Sequence, residues 1–341
     1  MAQSLAVRYR PKTFNEVLSQ KSVIQILERQ LAIKQISHAY LFCGPSGTGK
    51  TTLACALARR INNDKGFPIE IDAASNSGVE NVRQIIEDAK QRSIESEYKI
   101  FIIDECHSLS SQAWQAFLKT IEEPPEYTIF MFCTTNPEKV PETIQNRCMR
   151  FNITKVNTAL ICDRLKYICA QEQYSNYDEA CEYISKISNG GVRDAISMLE
   201  KCASYNPDLR IENVLECLGV FSYDTMFDLT GALLNTDESF ILNTLDSYYD
   251  AGVDLTLFID QYLDFTLDLL KYCLFRNMSN IKIPSILENR CNGFASIPQC
   301  TDITGKLVDN VLEIKNMIKR DSNPKLTIEA MFIRISREIL S

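Results

Sequence analysis

Short apolar runs alternate with amphipathic stretches through the first 150 residues of the chain. Five short segments are predicted as strands: residues 39–43, 68–72, 99–103, 128–133 and 149–153. Three amphipathic stretches between them are predicted as helices: residues 50–61, 79–92 and 110–122. Strands that alternate with helices of ten or more residues predict crossover connections. The first half is therefore predicted to be an α/β fold, with a parallel sheet covered by helices on both faces.

The alternation stops near Phe151, and the spacing of apolar residues after it predicts helices only. The Gly190-Gly191 pair interrupts this helical part. We predict three domains: an α/β core over residues 1–154, a small helical domain over 155–219 and an all-helical domain over 220–341.

Three aspartates recur every four residues on the apolar segment 255–275. Asp260, Asp264 and Asp268 then lie on one face of a helix. Such a face is most often solvated, and we predict that it points outward from a helical bundle.

Composition excludes several classes of protein. The chain has 341 residues, of which 45% are hydrophobic and 23% are charged, which is ordinary for a globular protein. Its apolar runs are too short to cross a bilayer, and the N-terminus lacks the apolar core of a signal peptide. The 13 cysteines form no Cys-x-x-Cys pair. We therefore expect reduced thiols in a cytoplasmic protein without a membrane partner.

Charge is distributed unevenly along the chain. The formal net charge is −8, yet residues 1–61 contain nine basic and two acidic residues. A phosphate-binding surface is therefore expected toward the N-terminal part.

A glycine-rich segment follows the first predicted strand. It matches the pattern G-x-x-x-x-G-K-[ST] and consists of Gly44, Pro45, Ser46, Gly47, Thr48, Gly49, Lys50 and Thr51, followed by Thr52. In such a loop, backbone N–H groups surround the β-phosphate, the lysine reaches the β- and γ-phosphates, and the Thr51 hydroxyl ligates Mg²⁺. The alternative, a glycine-rich turn without a ligand, is disfavoured because a strand precedes the loop and a helix follows it.

The third predicted strand ends in two carboxylates, Asp104 and Glu105. Ligands of open α/β sheets bind at the carboxyl ends of strands. We expect Asp104 to hold Mg²⁺ and Glu105 to act as general base on the attacking water. The alternative is a subunit that binds ATP without hydrolysing it, and Glu105 argues against that alternative.

Polar residues also follow the fourth predicted strand, in the run Thr134-Thr135-Asn136. A side chain there would be able to reach the γ-phosphate or the attacking water. The alternative is ordinary turn chemistry, because Asn136-Pro137 is a turn dipeptide. Spacing alone does not decide between the two.

Several longer motifs resemble the AAA+ ATPases of DNA clamp loaders, and among these the bacterial DNA polymerase III gamma/tau subunits. They are Tyr9-Arg10-Pro11-Lys12-Thr13-Phe14, His38-Ala39-Tyr40-Leu41-Phe42, Glu70-Ile71-Asp72-Ala73-Ala74-Ser75, Lys119-Thr120-Ile121-Glu122-Glu123-Pro124-Pro125 and Gly191-Val192-Arg193-Asp194-Ala195. The motifs lie within the first 200 residues. The resemblance implies an AAA+ P-loop domain, a helical lid and a helical C-terminal collar that joins subunits.

The resemblance also implies residue roles. Arg10 and Pro11 would lie in the stretch that packs on adenine. Thr135 or its neighbour Asn136 would take the first sensor position, and Arg193 the second sensor position near the γ-phosphate. A further role falls to Arg147, which would be an arginine finger that serves the ATP of a neighbouring subunit.

Two departures from the family pattern matter. Gamma/tau proteins usually carry a four-cysteine zinc module after the phosphate-loop helix, whereas residues 61–68 here contain no cysteine. We therefore predict no structural zinc. Asn146 replaces the serine that usually precedes the finger arginine. A short gamma-like form, or a phage or mobile-element version, fits these features.

The expected function is a clamp-loader ATPase at the replication fork. Its partners would be other loader subunits in a ring, a sliding clamp and primer–template DNA. Candidates for DNA phosphate contacts are Ser77, Gly78 and Arg83, of which Arg83 is equally well explained as a solvated surface charge. The alternatives are a non-hydrolysing structural subunit of the same ring, or another AAA+ motor such as a branch-migration helicase.

Overall fold

A computed structural model describes residues 3–319, 321 and 323–339. Its residues group into two compact units. One contains the residues up to Ile168 together with Ser188–Glu200, and the other contains Cys169–Ile187 and the residues from Lys201 on. The three domain boundaries given above stay a prediction.

The first unit is built on a parallel sheet. Its strands are β1 (Ala39–Cys43), β2 (Ile69–Asp72), β3 (Lys99–Asp104), β4 (Thr128–Thr134) and β5 (Met149–Asn152). The helices that precede or connect them are α1 (Leu5–Arg8), α2 (Lys21–Ala32), α3 (Lys50–Ile61), α4 (Val79–Ala89), α5 (Ser111–Glu122) and α6 (Glu142–Gln145). The strand order is β2-β3-β4-β1-β5, and every pairing is parallel. The predicted α/β fold with a parallel sheet is thus confirmed.

Alternate residues of the central strands feed two apolar layers, one on each face of the sheet. Tyr40 and Phe42 of β1 pack with buried residues of α3 on one face. Leu41 packs on the opposite face with Phe101 and Phe132, beneath α4 and α5. Because both faces are covered, strands such as β4 are buried along their whole length, which explains why they read as continuous apolar runs.

Helix α4 ends at Ala89, three residues before the predicted end. Side chains from the neighbouring strands bind the carbonyl oxygens at its last turn. The Lys99 ammonium donates to the Asp88 carbonyl at 2.8 Å, and the Thr128 hydroxyl donates to the Ala89 carbonyl at 2.7 Å. These carbonyls therefore find partners without a further turn of helix. The partners lie far along the chain, so the local pattern could not reveal them.

Beyond the sheet the chain is helical, as predicted. The helices are α7 (Thr158–Glu172), α8 (Asp178–Ile187), α9 (Val192–Tyr205), α10 (Ile211–Leu218), α11 (Tyr223–Leu234), α12 (Glu238–Asp250), α13 (Leu255–Phe275), α14 (Glu288–Ala295), α15 (Cys300–Ile318) and α16 (Pro324–Glu338). Gly190 adopts a left-handed φ of 85°, which ends the run of helix before α9 at the predicted glycine pair.

The outward face predicted for the aspartates of α13 is wrong at Asp268. The side chains of Asp260 and Asp264 are 48% and 58% exposed, whereas that of Asp268 is 3% exposed. Asp268 accepts hydrogen bonds from the Lys282 N–H at 2.6 Å and from the Lys271 ammonium at 3.2 Å. Burial raises the pKa of Asp268. The segment around Lys282 returns over the end of this face, and helical spacing alone does not reveal that.

Candidate nucleotide-binding site

A cavity of about 420 Å³ opens at the carboxyl edge of the sheet, within the first unit. Four parts of the chain that line it carry predicted site residues. These are the N-terminal segment with Arg10 and Pro11, the loop and helix start from Ser46 to Thr52, the end of β3 with Asp104 and the following Glu105, and the start of α9 with Arg193. The cavity therefore brings together most of the residues that the sequence singled out.

The glycine-rich loop leaves β1 in a shape that needs glycine. The Gly44 N–H donates to the Thr134 carbonyl at 3.1 Å, and a Cβ at Gly44 would lie 2.3 Å from the Ile153 carbonyl oxygen. Gly47 and Gly49 adopt left-handed φ angles of 70° and 97°. Such φ angles are costly for residues with a Cβ. The chain thus forms the tight turn that a phosphate-binding loop requires.

Lys50 begins α3 beneath this loop. Its side chain is buried, and its ammonium donates to the Pro45 carbonyl at 2.9 Å. The Thr48 hydroxyl donates to the same carbonyl at 2.8 Å. The lysine is thereby held inside the curve of the loop, at the positive end of α3, where an anion would meet both charges.

Thr51 and Asp104 form the pair expected to hold Mg²⁺. The Thr51 hydroxyl donates to Asp104 Oδ2 at 2.7 Å. A hydroxyl and a carboxylate oxygen at this separation are the hard oxygen donors that Mg²⁺ prefers. The donor set therefore fits the predicted cation.

Glu105 follows β3 in a left-handed conformation with φ of 44°. Its Oε2 atom accepts a hydrogen bond from the Thr135 hydroxyl at 3.1 Å, and the Thr135 N–H lies 3.4 Å from the same atom. Asn136 instead donates its backbone N–H to the Thr134 hydroxyl oxygen at 3.0 Å. Of the two residues left open by the sequence, Thr135 is therefore the one that contacts Glu105.

Arg10 has partners that the sequence did not suggest. Its guanidinium lies 3.1 Å from Glu70 Oε2 and 3.2 Å from the Cys55 sulfur. Burial raises the pKa of the Cys55 thiol to about 12, so this thiol stays protonated. These contacts fix the N-terminal segment to β2 and to α3 at the edge of the cavity. They join residues 45 and 60 positions apart, beyond the reach of any local pattern.

Arg193 lies in the first turn of α9, exposed and on the cavity wall. The backbone N–H groups of Val192 and Arg193 donate to the Gly47 carbonyl, at 2.9 and 3.3 Å. The start of α9 is therefore hydrogen-bonded directly to the glycine-rich loop. This contact positions Arg193 beside the loop.

Arg147 does not belong to the group of described residues that line the cavity. It is exposed, its guanidinium pairs with Glu122 at 2.5 Å, and it donates to the Thr143 carbonyl at 2.8 Å. Its role in trans stays a prediction.

The candidate DNA contacts lie at the start of α4. Gly78 is the exposed N-cap residue, and the Ser77 carbonyl accepts a hydrogen bond from the Ser110 N–H at 3.2 Å. The Arg83 side chain is 64% exposed and pairs with Glu80 at 2.9 Å. The ion pair with Glu80 fits the interpretation of Arg83 as a solvated surface charge. Its exposure fits that interpretation and a DNA contact equally well.

Metal sites and membrane-spanning helices are considered for the part of the chain that the structure describes. Among those residues, no group of three or more histidine, cysteine, aspartate or glutamate side chains is arranged to hold a metal ion. Within the same residues, no helix is both long and apolar enough to cross a bilayer. The absence of zinc stays a prediction.

The glycine-rich loop, the carboxylates after β3 and the sheet order define a P-loop nucleotide-binding protein of the AAA+ class. The fold resembles that of the Thermotoga maritima RuvB Holliday junction branch migration motor, with a TM-score of 0.53. The likeness covers 72% of this chain and 86% of that one, at 18% sequence identity. It shows the fold alone.

Sequence comparison gives the family. Residues 209–339 match the model for domain III of DNA polymerase III subunits gamma and tau, and residues 19–70 and 67–157 match the model for the DNA polymerase III delta subunit. The chain is 36% identical to DNA polymerase III subunit tau of Bacillus subtilis over 79% of its length. It is 32% identical to DNA polymerase III subunit gamma of Buchnera aphidicola, over 74% of this chain and 76% of that protein.

The chain therefore belongs to the DNA polymerase III gamma/tau family, as the sequence motifs predicted. It spans about half the length of two of its relatives, 52% of the Bacillus subtilis protein and 51% of the Mycoplasma genitalium subunit gamma/tau.

Proposed function

We propose that this chain is an ATP-hydrolysing subunit of a DNA clamp loader. The observation that carries the proposal is the arrangement of Lys50, Thr51, Asp104 and Glu105 around one cavity, in a chain of the gamma/tau family. ATP binding by several such subunits would drive a ring to open a sliding clamp and admit primer–template DNA. Hydrolysis would release the closed clamp.

The residues of the cavity divide the chemistry among them. The loop N–H groups would donate hydrogen bonds to the phosphates, and the Lys50 ammonium would offset their charge. Thr51 and Asp104 would hold Mg²⁺, which would supply Lewis-acid stabilisation of charge. Glu105 takes a proton from the attacking water. Electrostatic interactions and hydrogen bonds of this kind are stronger where bound nucleotide excludes water from the cavity.

Two arginines would complete the site. Arg193, beside the glycine-rich loop, would contact the γ-phosphate of the same chain. Arg147, exposed and away from this cavity, would contact the ATP of an adjacent subunit, so that hydrolysis depends on assembly of the ring.

DNA would be held through its phosphates. The N-terminus of α4 presents backbone N–H groups at Gly78, with Arg83 exposed one turn further on. Such contacts ignore sequence and weaken with salt. Binding of primer–template DNA should therefore fall as salt rises, with little preference among sequences.

The test measures ATP turnover by this chain, assembled with the other loader subunits of its own genome. We expect turnover to rise when clamp and primer–template DNA are added together. A four-way junction should not replace them. Turnover stimulated by the junction alone would support a branch-migration motor, and ATP binding without turnover would support a structural subunit. Either result would contradict the proposal.

A further inference from the structure

Glu105 has a second polar neighbour besides Thr135. His107 lies in the short 3-10 turn Cys106–Ser108 that follows β3, and its Nδ1 atom is 3.2 Å from Glu105 Oε2. The same nitrogen is 3.1 Å from the Thr134 hydroxyl oxygen. The imidazole therefore lies between the carboxylate after β3 and the end of β4.

The His107 imidazole is held in a narrow space. Its side chain is 19% exposed, and its polar neighbours are the carboxylate that follows β3 and the Thr134 hydroxyl at the end of β4. An imidazole nitrogen that faces a carboxylate oxygen at hydrogen-bond distance acts as a donor, because two acceptors would repel each other. The contact with Glu105 therefore favours a proton on Nδ1.

Both sets of contacts fall on one carboxylate oxygen. The Thr135 hydroxyl donates to Oε2 of Glu105, and the His107 Nδ1 atom lies 3.2 Å from the same oxygen, whereas no described residue donates a hydrogen bond to Oε1. A carboxylate fixed through one oxygen presents the other in a defined direction. The backbone of Glu105 is also in the left-handed region, which surrounding contacts must maintain.

We propose that His107 is a positioning residue for Glu105. Its Nδ1–H is shared between the Thr134 hydroxyl oxygen and Oε2, so that Oε1 faces the attacking water. This role rests on the proposed function, because it requires Glu105 to be the general base of ATP hydrolysis. His107 does not touch the nucleotide in this scheme, so it affects turnover and leaves ATP binding unchanged.

Two substitutions separate the hydrogen bond from the packing. His107→Phe keeps a flat ring of similar size and removes the donor. His107→Asn keeps a donor at the position of Nδ1 and removes the rest of the ring. Since a general base contributes about 10²–10⁴ in rate, we expect loss of its orientation to lower kcat by roughly tenfold in His107→Phe. His107→Asn should recover most of that loss.

The kinetic test uses the assembled loader with clamp and primer–template DNA. Both variants should bind ATP with wild-type affinity and unfold at a temperature close to that of the wild type. If the wild type turns over ATP and His107→Phe does so at the same rate, the role of His107 is overturned and the proposed function is not. An equal loss in both variants would also overturn that role, because packing would then be the cause. A wild-type assembly without turnover would overturn the proposed function, and this role with it.

A spectroscopic test detects the contact between His107 and Glu105 and does not require ATP hydrolysis. The chain has two histidines, so a sample with isotope-labelled histidine gives a simple nitrogen–proton correlation spectrum. The signals of His107 are those that disappear in His107→Phe. We expect the Nδ1–H form at neutral pH, set by the carboxylate. An Nε2–H form with bare Nδ1 would contradict the proposed hydrogen bond.

Discussion

Replacing Gly44 by alanine tests whether the glycine-rich loop is as tightly built as the structure indicates. Gly44 has no left-handed φ, so an alanine there pays no backbone penalty. The penalty comes from contact alone, because the added Cβ would lie 2.3 Å from the Ile153 carbonyl oxygen. Ile153 is fixed in turn, because its N–H donates to the Cys43 carbonyl at 2.6 Å.

The expected cost follows from that distance. Real Cβ atoms essentially never approach another heavy atom closer than 3.0 Å, so the loop or the residues after β5 must move. Overpacking of this kind typically costs about 1–3 kcal/mol. For a unit of this size, each kcal/mol lowers Tm by about 2–4 °C. Gly44→Ala should therefore lower Tm by roughly 2–12 °C. It should also weaken ATP binding, because the displaced loop is the proposed phosphate-binding site.

Thermal unfolding followed by circular dichroism, together with titration of a fluorescent ATP analogue, measures both effects. Gly305→Ala is the matched control. Gly305 lies inside α15, and nothing lies within 4 Å of the position its Cβ would take. That substitution should stabilise the helix by about 0.5–1 kcal/mol. A Gly44→Ala protein with wild-type Tm and wild-type ATP affinity would refute the reasoning.

Two further predictions concern other parts of the chain. Arg147→Ala should leave ATP affinity intact and lower hydrolysis by the assembled ring by about 10³-fold or more. Rings that contain both Arg147→Ala and Lys50→Ala subunits should regain some hydrolysis. If such mixed rings form but show no regained hydrolysis, a role of Arg147 in trans is contradicted. Asp268→Ala should cost about 1–3 kcal/mol in urea unfolding, because it removes the buried carboxylate and leaves the partly buried Lys282 N–H without its acceptor. The exposed Asp264→Ala should cost about 1 kcal/mol or less, and equal costs would refute the argument from burial.

Strand and helix positions in the first half were predictable because they depend on local patterns. Residues 39–43 and 50–61 were predicted as a strand and a helix, and they are β1 and α3 with those bounds. A strand covered on both faces is a continuous apolar run, and a helix after a glycine-rich loop has a marked start. Both features depend only on residues that are close together in the sequence.

Contacts between distant residues were not predictable from such patterns. The burial of Asp268 depends on the segment around Lys282, and the early end of α4 depends on Lys99 and Thr128. In the candidate site, the sequence indicated Glu105 but not its contact with His107. The one available clue was a histidine two residues after a candidate general base, and spacing alone gives such a histidine no role.

The central claim is that Lys50 serves ATP binding while Glu105 serves the chemical step. The most direct measurement compares ATP affinity and steady-state hydrolysis for Lys50→Ala and Glu105→Gln in the assembled loader. Glu105→Gln should bind ATP as the wild type does and lose at least about 10²-fold in kcat, because an amide cannot accept the proton of the water. Lys50→Ala should lose tight binding. Normal turnover by Glu105→Gln, or unchanged affinity in Lys50→Ala, would contradict the account.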